Sequence, residues 1–407
     1  MSISVPNTVE IVAGGVTTPK GFRAAGVSAG IKARGGLDLA LLVSDGPATV
    51  AGVFTTNRAQ AAPVLVSKDH LARSRGAARA IVVNSGCANA CTGQPGLQVA
   101  RDMAAETARL LHCPVEHVLV ASTGVIGVNL DIGKVRAALP GAVAALSADQ
   151  GAAAARAIMT TDPFPKEAAA RLSIAGREVA IGGMAKGAGM IEPMMATMLG
   201  FVATDAAVPP ALLGRALRAA VDDTFNAITV DGECSTNDCV VVLANGSSGV
   251  TVDEASYDHF VEGLKAVCLS LALGVVRGGE GATKLVTVTV TGAASSAEAR
   301  QAAKAIANSL LVKTAIHGGD PNWGRLIAVA GRAGVAFDLS HAAVRIGPVV
   351  LFRDGRPHDE NTPEAAAYFG NDEVAVTVDL GAGGASSTVW TCDLSAEYVR
   401  INAEYRT

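Results

Sequence analysis

A side chain that attacks a carbonyl needs a base beside it, and in this sequence the usual bases are badly placed. The seven histidines (His70, His112, His117, His259, His317, His341 and His358) stand apart from any glycine-framed serine or cysteine, and there is no G-x-S-x-G and no H-E-x-x-H. A Ser–His or Cys–His hydrolase has no support from such a pattern. Lys186 is followed by Gly187 rather than Ser or Thr, and neither Gly14-Gly15 nor Gly278-Gly279 makes G-x-G-x-x-G, so nucleotide-binding loops are not indicated. Cys87/Cys91 and Cys234/Cys239 are close pairs, but no C-x-x-C occurs and no histidine lies near either; no zinc site is expected.

One nucleophile needs no imidazole. An N-terminal Thr, Ser or Cys can use its own α-amine, whose ordinary pKa of about 7.7–8.0 leaves much of it free near neutral pH. An internal threonine reaches that state only if the peptide bond before it is cut. The segment Gly182–Phe201 holds four of the eight methionines within nine positions, and in it Thr197 follows the small residue Ala196. Gly187, Gly189 and Pro193 upstream could hold a bent backbone there. The same stretch, Met194–Phe201, also reads as a buried strand that contains a threonine, and its composition alone does not choose between the two.

Helices and sheets must position whatever does the chemistry. Val286, Val288 and Val290 alternate with threonines over 285–291, and Val374, Val376, Val378 and Leu380 repeat the pattern, which predicts half-buried strands. Residues 79–84 and 117–121 read as fully apolar strands. From Asp253 to Ala272 the residues Tyr257, Phe260, Val261, Leu264, Val267 and Leu271 make one apolar stripe, predicting a helix; 97–112 predicts another, with Val99, Met103 and Leu110 inward. The class is mixed α/β, with helices covering sheets. At 407 residues, 50% hydrophobic and 17% charged, the chain can bury a large core. Aromatics make up only 4% of it, so that core is mainly Ala, Val, Leu and Ile. A net charge of −4 argues against nucleic acid held on a basic surface. Seven cysteines without a short stapled framework suggest reduced thiols. No apolar run reaches the roughly 18 residues of a membrane span and no secretory signal is visible, so a cytoplasmic protein is expected.

The segment K-G-A-G-M-I-E-P-M-M-A-T-M-L from Lys186 to Leu199 resembles the processing site of the ornithine acetyltransferase family, the bifunctional glutamate N-acetyltransferases. The likeness extends from G-F-R-A-A-G-V at Gly21 to the last residue. Asn84-Ser85-Gly86 with Ala88-Asn89-Ala90-Cys91-Thr92-Gly93 is similar to N-S-G-x-A-N-A-C-T-G, and Ser122-Thr123-Gly124-Val125-Ile126-Gly127 to S-T-G-x-I-G. Further blocks are M-T-T-D at Met159, D-G-x-x-S-T-N-D at Asp231, E-G-A-T-K at Glu280, D-P-N-W-G-R at Asp320 and the C-terminal I-N-A-E-Y-R-T. Met194, Cys87, Gly279 and His317 depart from the family's usual residues.

The resemblance implies a layered α-β-β-α sandwich of mixed sheets with a smaller C-terminal part. It implies self-cleavage between Ala196 and Thr197 into chains 1–196 and 197–407, with Thr197 as nucleophile and Thr123 and Gly124 as the oxyanion hole, at a turn after the 117–121 strand. Thr160, Lys186, Thr197, Glu280, Asn402 and Thr407 match substrate-binding positions. Glu280 suits the side-chain ammonium of ornithine; read without the resemblance, Lys186 and Glu280 are as well explained as a surface pair. Asn402 and Thr407 require the tail to fold back, through a strand-like 397–402 segment. The implied reaction moves acetyl from N-acetylornithine to glutamate without metal or redox cofactor, in an α2β2 assembly, and leaves open acetyl-CoA as a second donor. The rivals are an autoprocessed aminopeptidase or amidase, with water as acceptor, and an uncleaved amino-acid-binding protein.

Overall fold

The computed structural model describes residues 9–192 and 198–404. They form two compact units. The larger comprises the chain up to Asn226 together with Cys234–Val275, the smaller Ala227–Glu233 and the chain from Val276 on.

In the larger unit nine strands form one mixed sheet: β1 (Val9–Val12), β2 (Phe22–Val27), β3 (Leu39–Phe54), β4 (Ala77–Cys87), β5 (Val118–Val125), β6 (Lys166–Ile174), β7 (Arg177–Lys186), β8 (Leu199–Thr204) and β9 (Cys239–Ala244). Their order is β1-β6-β7-β8-β9-β3-β4-β5, with β2 also on β3. The 16-residue β3 is the hinge of the sheet. Its first part pairs with β2 and β4, and Thr49–Phe54 pair with β9. The helices are α1 (Ala62–Arg73), α2 (Gly93–Leu111), α3 (Ile132–Ala144), α4 (Gly151–Ala157), α5 (Pro210–Asp223) and α6 (Tyr257–Arg277).

Alternation along the strands builds the layers. Leu42, Ile81 and Leu119 pack in one cluster with Met184, Phe201 and Val241 from the other half of the sheet. Their neighbours Leu41, Val82 and Val120 point the opposite way, onto Ala100, Met103, Val135 and Leu139 of α2 and α3. On the far side α6 lies so close to β6 and β7 that a Cβ on Gly263 would meet Leu172 and Ile181 at 3.2 Å. The result is the expected α-β-β-α sandwich.

The smaller unit has a six-stranded mixed sheet, β10 (Leu285–Ala293), β11 (Ala343–Ile346), β12 (Val349–Arg353), β13 (Arg356–Pro357), β14 (Glu373–Asp379) and β15 (Ala385–Cys392), in the order β13-β12-β11-β14-β10-β15. Its helices are α7 (Ser296–Ala307), α8 (Leu310–His317), α9 (Trp323–Gly331), α10 (Thr362–Tyr368) and α11 (Ala396–Glu404). Val286, Val288 and Val290 of β10 and Val374, Val376 and Val378 of β14 are buried against Ala299, Ala303 and Ile306 of α7, as their alternation predicts.

Several expectations need correction. The 397–402 segment is helical, not strand-like. Arg400 pairs with Glu397 and Glu404, and Asn402 Nδ2 donates to the Tyr398 carbonyl one turn back; such i,i+3 and i,i+4 pairs favour helix. The helix expected from Asp253 begins at Tyr257, because Asp253 and Ser256 bond each other's backbone N–H groups as a cap, and it runs on to Arg277. That extension makes α6 long and apolar enough by length and composition to cross a bilayer, against the expectation that no stretch would. Phe260, Leu264, Val267 and Leu271 are fully buried in the protein, so α6 serves as a core helix. Helix α2 opens at Gly93, earlier than expected, and of its three expected inward residues Met103 is buried while Val99 and Leu110 are half-buried.

Candidate active site

Lys186 ends β7, opposite Leu199 of β8. Its Nζ donates to Thr123 Oγ1 at 3.1 Å. Thr123 and Lys186 are both buried, and so is Glu280 in the smaller unit, which removes the surface-pair reading of Lys186 and Glu280. Thr197 and Ala196 lie outside the described residues; by covalent connection Thr197 stands two residues before Leu199.

Thr123 and Gly124 are not in a turn after the strand. They belong to β5 itself, which runs on to Val125 because β4 continues beside it. There the ladder breaks: Cys87 faces both Thr123 and Val125, a bulge that bends the strand pair. Gly124 sits at φ +128°, and a Cβ on it would lie 2.4 Å from the Gly86 carbonyl carbon; only glycine fits. The conspicuous polar residues around it brace the backbone. Asn84 Nδ2 donates to the Cys87 carbonyl at 2.8 Å, and Ser122 Oγ donates to Asn84 Oδ1 at 2.6 Å. Asn237 Nδ2 donates to the carbonyls of Ala88 and Ser122. The departure Cys87 donates its thiol to the Val128 carbonyl, and burial pushes that thiol up.

Behind Lys186 lies Asp162, which sequence reasoning passed over although it closes the M-T-T-D block. One carboxylate oxygen accepts from Lys166 Nζ and from the Gly187 N–H at 2.7 Å; the other accepts from the Thr160 N–H at 2.9 Å. Of two expected substrate-binding residues, Thr160 bonds this buried anion through its N–H and Lys186 acts on it through charge alone. Burial alone would raise that carboxyl, but the Lys186 and Lys166 charges and the Lys166 and Thr160 hydrogen bonds prevail and bring it down to about 2. Lys166 had no sequence signal: a lone lysine opening a strand is ordinary until its partner is seen. Burial lowers Lys166 against the pull of Asp162.

In the smaller unit Asn402 Nδ2 donates to Glu280 Oε2 at 2.8 Å, so the tail does fold back, as a helix; Thr407 lies outside the described residues. Gly281 next to Glu280 has φ +68°, and a Cβ there would approach the Tyr398 N at 2.5 Å. Asp393 pins the E-G-A-T-K loop by accepting from the N–H groups of Thr283 and Lys284 and from the Thr283 hydroxyl. The departure His317 is its fourth partner, with Nδ1 at 2.7 Å from Oδ2. Gly279, another departure, is tightly enclosed: a Cβ would meet the Val276 carbonyl at 3.1 Å and Cys392 Sγ at 3.2 Å. Met194 lies outside the described residues. Among those described, no group of three His, Cys, Asp or Glu could hold a metal ion, and all seven cysteines are free.

Comparison with known proteins agrees with the sequence blocks. The chain is 50% identical over 404 residues to the arginine biosynthesis bifunctional protein ArgJ of Symbiobacterium thermophilum, spanning 98% of this chain and 100% of that one. It is 49% identical to the protein of that name from Thermosynechococcus vestitus, over 97% and 99%. A solved chain of the same protein from Bacillus halodurans, 45% identical, superposes with a TM-score of 0.50 and matches 51% of this chain over 100% of its own length. Residues 23–407 match the ArgJ family, and the chain belongs to that family.

Proposed function

We propose that this protein cleaves itself between Ala196 and Thr197 and then transfers acetyl from N-acetylornithine to glutamate through an acetyl ester on Thr197. Membership of the ArgJ family and close identity to proteins named for arginine biosynthesis support an acetyltransferase of that pathway. The observation that carries the finer reading is the buried Lys186–Thr123 hydrogen bond beside the bulge at Gly124. It joins an expected substrate-binding cation to an expected oxyanion donor, on a strand paired with β8, the strand that Thr197 precedes by two residues.

The Thr197 amine takes the hydroxyl proton as Oγ adds to the acetyl carbonyl. Thr123 and Gly124 hold the oxyanion; one donor of this kind is worth about 100–1000-fold in rate. The C–N bond breaks, and ornithine leaves with the proton the amine had taken. The glutamate amine then attacks the ester, releasing N-acetylglutamate and restoring Thr197. Lys186 and Thr160 bind the amino-acid substrates, with Asn402 and Thr407, and Glu280 takes the ornithine side-chain ammonium. No metal or redox cofactor enters. The word bifunctional in the relatives' names supports a second donor, which we take to be acetyl-CoA. The two chains stay together as α2β2. That a solved relative matches 51% of this chain over its whole length supports a cut near the middle.

Intact mass with N-terminal sequencing tests the cut. The expected products are chains of 196 and 211 residues, roughly 20 kDa each by length, the second beginning Thr-Met-Leu-Gly-Phe. A single 40.9 kDa chain, inactive with N-acetylornithine and glutamate, would instead favour the binding protein. Activity without glutamate would favour the amidase. The role of Glu280 is tested separately. Glu280→Gln keeps the shape but removes the charge that pairs with an ammonium, and KM for N-acetylornithine should rise about tenfold or more with little change in kcat. An unchanged KM removes Glu280 from that role.

A further inference from the structure

A second lysine lies at the bulge. Asp38 is fully buried and accepts from the N–H groups of Ala29, Ile31 and Lys32 at 2.5, 2.6 and 3.0 Å, which fixes the short loop that carries Lys32. The stem of Lys32 then lies across Gly86. A Cβ on that glycine, at φ +98°, would meet Lys32 Cγ at 3.0 Å and Lys32 Cα at 3.3 Å. Gly86 is the register partner of Gly124 on β5, and paired strands are about 4.8 Å apart. Lys32 therefore flanks the bulge from the β4 side, while Lys186, at the end of β7, reaches it through Thr123. Both ammoniums donate to neutral oxygens: Lys32 Nζ to the Leu37 carbonyl at 2.7 Å, Lys186 Nζ to the Thr123 hydroxyl. Lys166 takes the ion pair with Asp162; among the described residues neither Lys32 nor Lys186 is in one. Asp38, Asp162 and Lys186 all act on Lys32 through charge, so the two half-matched lysines share one field.

The two substrates of the proposed transfer differ in what such a pair can hold. Both bring an α-nitrogen to the acetyl group, and both carry an α-carboxylate. N-acetylornithine ends in an ammonium, the charge given above to Glu280. Glutamate ends in a second carboxylate, four bonds from the first, which Glu280 repels and a lysine attracts. Two carboxylates call for two cations. We infer that Lys32 sets the choice of acceptor, its ammonium taking one carboxylate of glutamate while Lys186 holds the other; this rests on the transfer proposed above. An ammonium has three donors, and the Leu37 carbonyl uses one of those on Lys32, which leaves two for a carboxylate. Lys32 is half-buried, and a charge-assisted bond in such surroundings is stronger than one in open water. The first half of the reaction brings only one carboxylate, so Lys32 contributes little to it and acts mainly when glutamate attacks.

The test is steady-state kinetics of the whole protein as wild type, Lys32→Met and Lys32→Arg. In a two-step transfer, kcat/KM for N-acetylornithine and kcat/KM for glutamate each report their own half of the reaction. Methionine keeps an apolar stem across Gly86 and removes the charge; arginine keeps the charge. The expected result is a loss of about tenfold or more in kcat/KM for glutamate in Lys32→Met, with the value for N-acetylornithine within a factor of a few of wild type. Lys32→Arg should retain most of the glutamate value. Glutamine as acceptor gives a second readout, because its amide lacks the second charge. Wild type should prefer glutamate to glutamine, and Lys32→Met should lose that preference. An unchanged kcat/KM for glutamate in Lys32→Met overturns the inference. So does an equal loss for both substrates, which is the mark of a structural role. If the melting temperature of Lys32→Met falls well below that of wild type, Lys32→Gln is read in its place by the same criteria. Failure of wild type to release ornithine from N-acetylornithine overturns instead the proposed function on which the inference stands.

Discussion

Gly124→Ala should lower kcat for acetyl transfer by about 100–1000-fold, the loss expected when an oxyanion donor is misplaced, with little change in KM. The reason is local. At φ +128° the added Cβ would lie 2.4 Å from the Gly86 carbonyl carbon and 2.6 Å from the Cys87 N. Both are backbone atoms of the neighbouring strand, so neither can swing aside as a side-chain end would. The bulge that joins Gly86, Cys87 and Thr123 must open, and the backbone at 123–124 moves with it. Gly127→Ala is the matched control. That glycine also has positive φ, +79°, but a Cβ there meets nothing within 4 Å. It should cost about 1 kcal/mol in backbone strain and leave kcat within a factor of a few. Rates are to be read per cleaved molecule, from the amount of Thr-Met-Leu-Gly-Phe terminus, so that slowed cleavage is not mistaken for slowed transfer. Equal activity in Gly124→Ala and Gly127→Ala would dismiss 123–124 as the oxyanion site.

What could be read in the sequence divides along a physical line. Period-2 alternation at 285–291 and 374–380 and the stripe of α6 report which face is buried, and burial is what the structure then shows. Ends of elements were read less well, because partners distant in sequence decide them. β5 runs through Thr123 and Gly124 since β4 lies beside it, and α11 is helical through charges three and four residues apart that a short apolar reading ignores. The site shows the same division. Thr123, Gly124, Lys186 and Glu280 stand in blocks that are recognisable as strings. Asp162 stands in such a block too, but its interest comes from the two lysines that surround it, which are not visible until the chain is folded. Lys166 carries no local signal, since the pattern that gives it meaning is four residues away in sequence and buried in space.

Asp162 also sets the second large effect. Asp162→Asn should destabilise the protein by about 3–5 kcal/mol, the usual result of removing one partner from a buried charge pair. The amide's single oxygen can accept from the Gly187 N–H or the Thr160 N–H but not both, since these bond different carboxylate oxygens, and Lys166, almost wholly buried, loses its anion. The pH dependence follows from the depressed carboxyl. Its folded value near 2 lies below the ordinary 3.8, so its contribution is full above about 4 and is lost as pH falls through about 2. Thermal unfolding of wild type should therefore weaken over that window more than that of Asp162→Asn. The double variant Asp162→Asn/Lys166→Met separates charge balance from positioning. Removing the stranded lysine should recover much of the melting temperature. It should not recover acetyl transfer, because the Gly187 N–H and Lys186 would still face a neutral amide in place of the anion that fixes the end of β7 against Thr123. If the double variant regains both stability and activity, Asp162 serves only to neutralise Lys166, and the placement of Lys186 must come from elsewhere in the sheet.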